Sequence, residues 1–298
     1  MEEKQMMTNE QLEAEINSAR RKDKISNLLM SCAGVVLILT FVLKIYPLAI
    51  LAVVLLLLGA SLYSNSRSMT KKLLSDNVIS GVLKEMLGDD VEYNPSGRMQ
   101  PTAMEFPFSY NCSDGSDYIK AVYKGVSVEL GDVVLMTETE YEAENGETAT
   151  QRDIVFRGQW LSWNLGRELT GRVFVSQRTK KDHSKMKSNV TTGNEQFDKR
   201  FCVKADHQDE AYYILAPDRM ERIIRMADNS GGTVYLSFLE DGQINIAIQT
   251  GRDSFEPGKG NVNVEELRRK FLDDLHRYTD ILDMLHIEES RNKKEENI

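Results

Sequence analysis

Residues 25–63 read ISNLLMSCAGVVLILTFVLKIYPLAILAVVLLLLGASLY, and this stretch decides the architecture of the chain. Two apolar runs, Ile25–Leu43 and Leu48–Tyr63, flank the break Lys44-Ile45-Tyr46-Pro47, and neither run contains Asp, Glu, Lys, Arg or His. As helices they span roughly 28 Å and 24 Å, and three further residues bring the second near the hydrocarbon thickness. A helix of a soluble protein normally keeps a polar stripe, and these runs have none. The sequence therefore predicts a transmembrane helical hairpin.

Basic residues near the ends of the two runs predict the orientation of the hairpin. Arg20, Arg21, Lys22 and Lys24 precede the first run, Arg67, Lys71 and Lys72 follow the second, and the break holds only Lys44. Because Lys and Arg are retained on the cytoplasmic side, we expect both termini to be cytoplasmic. The spans lack the charged side chains of a transport pathway, which favours an anchor.

Composition narrows the possible partners of the remaining chain. The 298 residues carry a formal net charge of −9 and have a mean hydropathy of −0.40, although two segments are strongly apolar. The acidic balance argues against a nucleic-acid partner, because phosphate contacts require clustered Lys and Arg. Cys32, Cys112 and Cys202 form no Cys-x-x-Cys pair, so neither a zinc site nor a disulfide framework is indicated.

We predict an α+β fold, in which the two-helix hairpin precedes a cytosolic, mostly antiparallel β-rich domain with flanking helices. The predicted divisions are a cytosolic N-terminal segment 1–24, the hairpin 25–65, a juxtamembrane helix and linker 66–100, the α+β domain 101–290 and a charged tail 291–298. Within the domain, short β-rich segments with turn residues between them predict strands. They are 104–110, 118–123, 126–130, 133–141, 153–163, 171–177, 200–204, 211–215, 233–239 and 243–249, with turns at 114–115, 131–132, 145–146 and 241–242.

Two helices are predicted in the second half of the domain. Pro217 suits a first helical position, and Met220, Ile223, Ile224 and Ala227 form one face of the helix that follows. Asn263 suits an N-cap, and apolar residues recur every three or four positions from Val264 to Leu285. This last stripe fits either a core-facing helix or a coiled-coil seam.

No catalytic motif is recognisable, which favours a non-enzymatic protein without a cofactor. The candidate metal ligands are Asp206, His207, Asp209 and Glu210, since carboxylates and imidazole bind divalent ions. The alternative for this segment is an acidic turn. The candidate ligand-binding residues are of two kinds. Trp160 and Trp163 form either an aromatic binding face or part of the core, and Arg178, Lys180 and Lys181, in the polar loop 178–187, either contact lipid headgroups or are simply solvated.

Several segments resemble a known bacterial family. They are Phe156-Arg157-Gly158-Gln159-Trp160, Leu169–Val175, Glu195–Val203, Ala211–Pro217, Met220-Glu221-Arg222, the hairpin Val234–Ile248 and Phe255-Glu256-Pro257. Together they are similar to the family catalogued as domain of unknown function 3137, over about residues 150–260. The resemblance implies an N-terminal hydrophobic hairpin in a bacterial inner membrane, joined to a cytosolic domain, and it implies no catalytic residue.

These observations favour a membrane-anchored cytosolic binding or scaffolding module, with the lipid bilayer and a protein at the inner membrane as its partners. The alternative is a membrane-proximal enzyme acting on lipid or envelope precursors. Its candidate residues would be the acidic segment 206–210 and the basic loop.

Overall fold

The computed structural model describes residues 7–142, 148–180, 187–255 and 263–284. The chain divides into two compact units, one of residues 1–82 and 257–271 and the other of residues 83–256 and 272–298. The helices are α1 Asn9–Leu43, α2 Leu48–Leu74, α3 Ser80–Leu87, α4 Glu195–Arg200, α5 Gln208–Ile214, α6 Pro217–Asn229 and α7 Val264–Met284, with a π-helical segment Ser75–Ile79 joining α2 to α3. The strands are β1 Glu92–Asn94, β2 Cys112–Tyr123, β3 Val126–Glu142, β4 Thr148–Asn164, β5 Val173–Gln177, β6 Phe201–Ala205, β7 Thr233–Phe238 and β8 Gln243–Gln249.

In the first unit, α1 and α2 form an antiparallel hairpin. The turn between them is tight, and Lys44 takes a left-handed conformation with φ of 56°. The helices approach closely where Gly59 faces α1, since a Cβ there would lie 2.9 Å from Cγ of Met30 and the Ser26 hydroxyl donates to the Gly59 carbonyl oxygen at 2.6 Å. Both helices are long and apolar enough to cross a membrane. The predicted helical hairpin is confirmed.

The N-terminal part of α1 also contacts the start of α7 within this unit. A carboxylate oxygen of Glu13 accepts a hydrogen bond from the Val264 backbone N–H at 2.8 Å, and the Asn9 amide donates to Glu265 at 2.8 Å. The Glu13 carboxylate thus satisfies an N–H at the start of α7 that has no partner within the helix. Asn263 caps the same helix, because its side chain accepts from the Glu266 N–H at 2.8 Å, as predicted.

The second unit is built on one eight-stranded antiparallel sheet, in the order β1-β2-β3-β4-β8-β7-β5-β6. The predicted α+β class with a mostly antiparallel sheet is confirmed. The β7–β8 hairpin turns at Asp241-Gly242, also as predicted. The domain boundaries proposed above stay predictions.

Successive side chains along a strand point to opposite faces of the sheet, and the sheet therefore carries two cores, one on each face. On one face, Trp160, Phe156 and Tyr235 form a buried cluster against which Phe106 and Phe108 pack. On the other, Leu161 and Val128 line a small apolar cavity together with three residues of α7, Leu275, Tyr278 and Leu282. The apolar stripe of α7 is therefore core-facing at these positions.

Four local predictions are wrong. The pairs Asp114-Gly115 and Gly131-Asp132, predicted as turns, lie inside β2 and β3. Residues 104–110, predicted as a strand, form irregular structure, and 211–215, also predicted as a strand, belong largely to α5. The predicted turn at 145–146 and the tail 291–298 lie outside the described residues.

Candidate ligand-binding cleft

An open cleft of about 360 Å³ lies where the irregular segment 103–110 crosses β5 and β6. Its lining residues are Ala103, Met104, Glu105, Tyr110, Arg172, Phe174, Asn189, Lys204, Ala205 and Asp206. The cleft is in the lower part of the size range of small-molecule sites. It combines four charged side chains with aromatic surface, which makes it the candidate functional site.

The first pair of charges in the cleft is Arg172 with Asp206. The guanidinium donates from Nε to Oδ2 at 2.8 Å and from Nη2 to Oδ1 at 3.3 Å, and the Arg172 backbone N–H also donates to Oδ2 at 3.1 Å. These donors hold the pKa of the Asp206 carboxyl below its usual value and raise the pKa of Arg172. Both groups therefore stay charged across the physiological range.

The second pair is Lys204 with Glu105, whose Nζ and Oε2 atoms are 2.8 Å apart. The Glu105 backbone is held in place because its carbonyl oxygen accepts from the buried Ser176 hydroxyl of β5 at 2.6 Å. Both side chains are about 41% exposed, so water screens the pair and its two partners can exchange for a ligand at low cost.

Aromatic rings supply the apolar part of the cleft. Phe174 is buried on β5 and lies beneath the Arg172 guanidinium, with 5.9 Å from Cζ to the ring centroid. Tyr110 is 36% exposed and contacts Phe106 edge to face at 6.2 Å. The cleft can therefore take a ligand that has an apolar body and groups of both charges.

Asn189 lines the cleft beside the outer edge of β6, which is the last strand of the sheet. Its side chain accepts from the Ala205 N–H at 2.9 Å and donates to the Ala205 carbonyl oxygen at 2.8 Å, so it pairs with β6 as a neighbouring strand would. The Ser188 hydroxyl accepts from the Val203 N–H at 3.1 Å in the same way. These side chains satisfy the backbone of an edge strand that would otherwise be open to pairing.

The four candidate metal ligands are not brought together. Asp206 is bound to Arg172, His207 is the N-cap residue of α5 and is exposed, and Asp209 is exposed in the first turn of α5. Glu210 points elsewhere and is buried, where it accepts from the Thr170 backbone N–H at 3.1 Å and the Thr170 hydroxyl at 2.5 Å. Across the described ranges, no group of three metal-ligating side chains is present.

We expect Glu210→Ala to lower the free energy of unfolding by about 1–3 kcal/mol, because it removes a buried carboxylate that accepts two hydrogen bonds from Thr170. The matched control Asp209→Ala removes an exposed carboxylate from the same helix and should change stability by less than about 1 kcal/mol. Urea unfolding of the full chain in detergent micelles, followed by circular dichroism, measures both. Equal losses in the two variants would contradict the structural role of Glu210.

The two tryptophans lie inside the domain. Trp160 is fully buried and donates from Nε1 to Oδ1 of Asn245 at 3.3 Å, and Trp163 is 3% exposed. No described residue accepts a hydrogen bond from Nε1 of Trp163. Both indoles therefore occupy the core, which was the alternative to an aromatic binding face.

The contrast between these indoles predicts unequal effects of the same substitution. Trp160→Phe opens a cavity and leaves the Asn245 acceptor unsatisfied, so we expect it to destabilise the protein by about 2–4 kcal/mol. Trp163→Phe removes a similar volume without breaking a hydrogen bond, so its effect should be smaller by about 1–3 kcal/mol. Urea unfolding followed by circular dichroism tests the order of the two, and a larger loss for Trp163→Phe would contradict the assignment.

The basic loop is only partly described. Arg178 packs on the neighbouring strand, donating from Nε to the Phe201 carbonyl oxygen at 3.2 Å and from Nη2 to the Ser188 hydroxyl at 3.1 Å. Lys180 is exposed, and Lys181 lies outside the described residues. Lipid contact by this loop stays a prediction.

A buried polar network that the sequence did not reveal lies on the helix-covered face of the sheet. Asp132 is 1% exposed, and its carboxylate accepts from the Ser254 backbone N–H at 2.7 Å, the Ser254 hydroxyl at 2.9 Å and the Gln159 amide at 3.2 Å. The Ser254 hydroxyl also contacts the Tyr278 hydroxyl of α7 at 2.9 Å. Burial, and secondarily the nearby Asp117 carboxylate, raises the pKa of Asp132 to about 7.

The fold and the cleft define an α+β domain that follows an apolar helical hairpin. Residues 154–287 match the family described as "Protein of unknown function (DUF3137)", which confirms the resemblance seen in the sequence for this segment. The chain is also similar to the crystal structure of the mycobacterial trehalose monomycolate transport factor A, TtfA, with a TM-score of 0.33 and 9% identity over 69% of this chain and 95% of that chain. No curated protein matches the sequence.

Proposed function

We propose that the protein is a non-enzymatic binding or scaffolding module that the helical hairpin anchors in a bacterial inner membrane. The observation that carries the proposal is the position of the exposed apolar side chains in the chain. The large apolar side chains that are exposed concentrate between Ile25 and Tyr63, and Ile38, Phe41 and Leu57 are each at least 65% exposed. A continuous apolar surface of this kind is stable in lipid and not in water.

Helix lengths are consistent with an anchor whose base emerges from the membrane. α1 has 35 residues and is therefore about 52 Å long, whereas the hydrocarbon core is about 30 Å thick. About 20 Å of α1 then remains in water. This is the part in which Leu12 and Ile16 are buried and Glu13 contacts α7.

The same geometry supports a cytoplasmic domain. The turn between α1 and α2 is four residues long, so both ends of the hairpin return to one side of the membrane. Basic residues flank those ends, which favours the cytoplasmic side. In this arrangement the domain lies in the cytosol, where the cleft offers charged pairs and aromatic surface to a ligand or partner.

Cysteine labelling tests the anchor and its orientation. In the full chain, with Cys32, Cys112 and Cys202 replaced, one variant carries Tyr46→Cys in the hairpin turn and the other Tyr212→Cys in the domain. A membrane-impermeant maleimide should label position 46 in intact spheroplasts and position 212 only after permeabilisation. Labelling of position 212 in intact spheroplasts would contradict the proposed orientation, and release of the protein by alkaline carbonate would contradict the anchor.

Photocrosslinking tests the binding role of the cleft. A benzophenone amino acid replacing Tyr110 stands at the rim, and the same group replacing the exposed Tyr213 is the matched control. We expect a defined adduct in native membranes from position 110, lost when Arg172→Ala and Lys204→Ala are combined. Adducts that persist in the double variant would show that the cleft does not bind the partner.

A further inference from the structure

The β3–β4 hairpin extends beyond the rest of the sheet as a two-stranded ribbon. β3 and β4 pair with each other along 15 registered positions. β2 pairs with β3 only as far as Met136, and β8 pairs with β4 only from Gln159 onwards. We call residues 137–142 together with 148–154 the ribbon.

One edge of the ribbon has no strand partner among the residues that the structure describes. On the β3 side, Asn111 covers the edge, because its side chain donates to the Glu138 carbonyl oxygen at 2.8 Å and accepts from the Glu138 N–H at 2.7 Å. On the β4 side, the Gln249 amide donates to the Val155 carbonyl oxygen at 3.0 Å. From Thr148 to Ile154 no described residue is paired with the outer edge of β4. This free edge is seven residues, or about 24 Å, long.

The free edge has few of the devices that usually prevent strand addition. Edge strands are normally protected by charged side chains, above all Lys, by Pro, by bulges or by short length. The sequence Thr148–Ile154 contains neither Lys nor Pro, its one cation, Arg152, is paired with Glu138, and its register with β3 is regular up to Ile154. Ile154 is 53% exposed at the base of the ribbon. A two-stranded ribbon is marginally stable alone, so a third strand would stabilise it.

Charge selects the strand that would be added. Glu138, Glu140 and Glu142 point to one face of the ribbon, opposite Arg152, Thr150 and Thr148. Glu138 is paired with Arg152 at 2.6 Å. No described cation pairs with Glu140 or Glu142, and the threonines beside them are short and exposed.

We propose that the β4 edge Thr148–Ile154 binds a basic, extended segment of a partner protein as an added strand. Two alternate Lys or Arg residues of that segment would pass over Thr148 and Thr150 to Glu142 and Glu140. The added strand and β3 are about 10 Å apart, two strand spacings, which an extended Lys and a Glu span together. An apolar residue of the segment would cover Ile154.

The same charges exclude the competing occupants. A second copy of the chain would add its own Thr148–Ile154 segment, whose one cation, Arg152, is already paired with Glu138 and so is not available to Glu140 or Glu142. An anionic lipid surface or a nucleic acid carries negative charge as well, so it is repelled. The proposal depends on the ribbon alone, so its failure leaves the hairpin and the cleft unaffected.

A peptide titration tests the proposal. The probe is the capped heptapeptide Val-Thr-Ser-Thr-Lys-Thr-Lys, which places two Lys and one Val on the same side of an extended strand. It is added to the ¹⁵N-labelled full chain in detergent micelles and followed by amide chemical shifts. We expect shifts at residues 148–154 with slowed hydrogen exchange there, and at least tenfold weaker binding to the Glu140→Lys, Glu142→Lys double variant. Unchanged shifts throughout 148–154 would overturn the proposal.

Matched controls separate strand addition from general charge attraction. A peptide with both Lys replaced by Glu should not bind, and a peptide N-methylated at alternate residues should lose binding because it cannot donate to the edge. The variant Asp218→Lys, Glu221→Lys makes the same change of charge on α6 and should bind the probe as the parent does. Equal binding of the N-methylated peptide, or equal weakening by the α6 variant, would contradict the proposal.

Discussion

The protein in which Asp132 is replaced by Asn should be more stable than the parent at pH 8, and its stability should depend less on pH between 4 and 7. The pKa of Asp132 is raised from 3.8 to about 7, because burial and Asp117 disfavour its charged form. The folded state therefore holds a proton that the unfolded chain releases. The contribution of this protonated carboxyl to the free energy of unfolding is complete below pH 3.8. It falls as the pH rises from 3.8 and is lost above about pH 7. At 1.36 kcal/mol per pKa unit, the loss amounts to about 4 kcal/mol.

Asn cannot ionise, and its side-chain oxygen can still accept from the Ser254 backbone N–H. The comparison is made by urea unfolding of the full chain in detergent micelles at half-unit steps from pH 4 to pH 8. The difference in free energy of unfolding between parent and variant isolates Asp132 from the other carboxylates. Asp90→Asn, at an exposed position, is the matched control and should follow the parent curve. A constant difference across the pH range would contradict the raised pKa.

The features that the sequence predicts correctly are those determined by local composition. The hairpin follows from two uncharged apolar runs, and α7 follows from its cap residue Asn263 and a regular apolar stripe. The β7–β8 hairpin follows from alternating isoleucines beside Asp241-Gly242. In each case one short window of sequence contains the physical reason for the structure.

Glycines inside long strands explain the two turns that were wrongly predicted. A Cβ at Gly115 would lie 2.4 Å from the Asp132 carbonyl oxygen, and a Cβ at Gly131 would lie 3.1 Å from Cβ of Met99. Here glycine permits close approach of backbone and does not reverse the chain. The neighbouring Asp132 is polar because it binds Ser254, 122 positions away, so no local pattern could reveal it.

The segment 211–215 shows how tertiary contacts override a strand-like pattern. Ala211 and Ile214 are buried, whereas Tyr212 and Tyr213 are 48% and 57% exposed, which is the three-residue spacing of a helix. Glu210 fixes this helix by binding Thr170, 40 residues earlier in the chain. The exposed tyrosines made the segment look like a strand.

Only part of the cleft could be predicted from the sequence, because its charged pairs join residues that are far apart in the chain. Asp206 was among the candidate residues, but its Arg172 partner is 34 positions distant, and the Lys204–Glu105 pair joins residues 99 positions apart. The segment carrying Glu105 was predicted as a strand of its own. Its role as a wall of the cleft depends on packing against β5 and β6, which the sequence does not encode locally.

Gly158→Ala should destabilise the protein by about 3 kcal/mol or more, because the new Cβ has no room. An ideal Cβ at Gly158 lies 1.9 Å from the carbonyl oxygen of Ile248 and 3.0 Å from the backbone N of Thr250. Both obstacles are backbone atoms of β8 and the residue that follows it, so β4 and β8 would have to separate at the centre of the sheet. Overpacking that side chains can relieve costs about 1–3 kcal/mol, and backbone cannot relax in this way.

Gly81→Ala is the matched control, since nothing lies within 4 Å of the added Cβ and the residue is helical. Alanine restricts the unfolded chain and favours the helix, so this variant should be more stable than the parent by about 0.5–1 kcal/mol. The same substitution thus has opposite signs at two glycines. Urea unfolding of the full chain in detergent micelles measures both. If Gly158→Ala unfolded at the same urea concentration as the parent, the close packing of β4 on β8 would be contradicted.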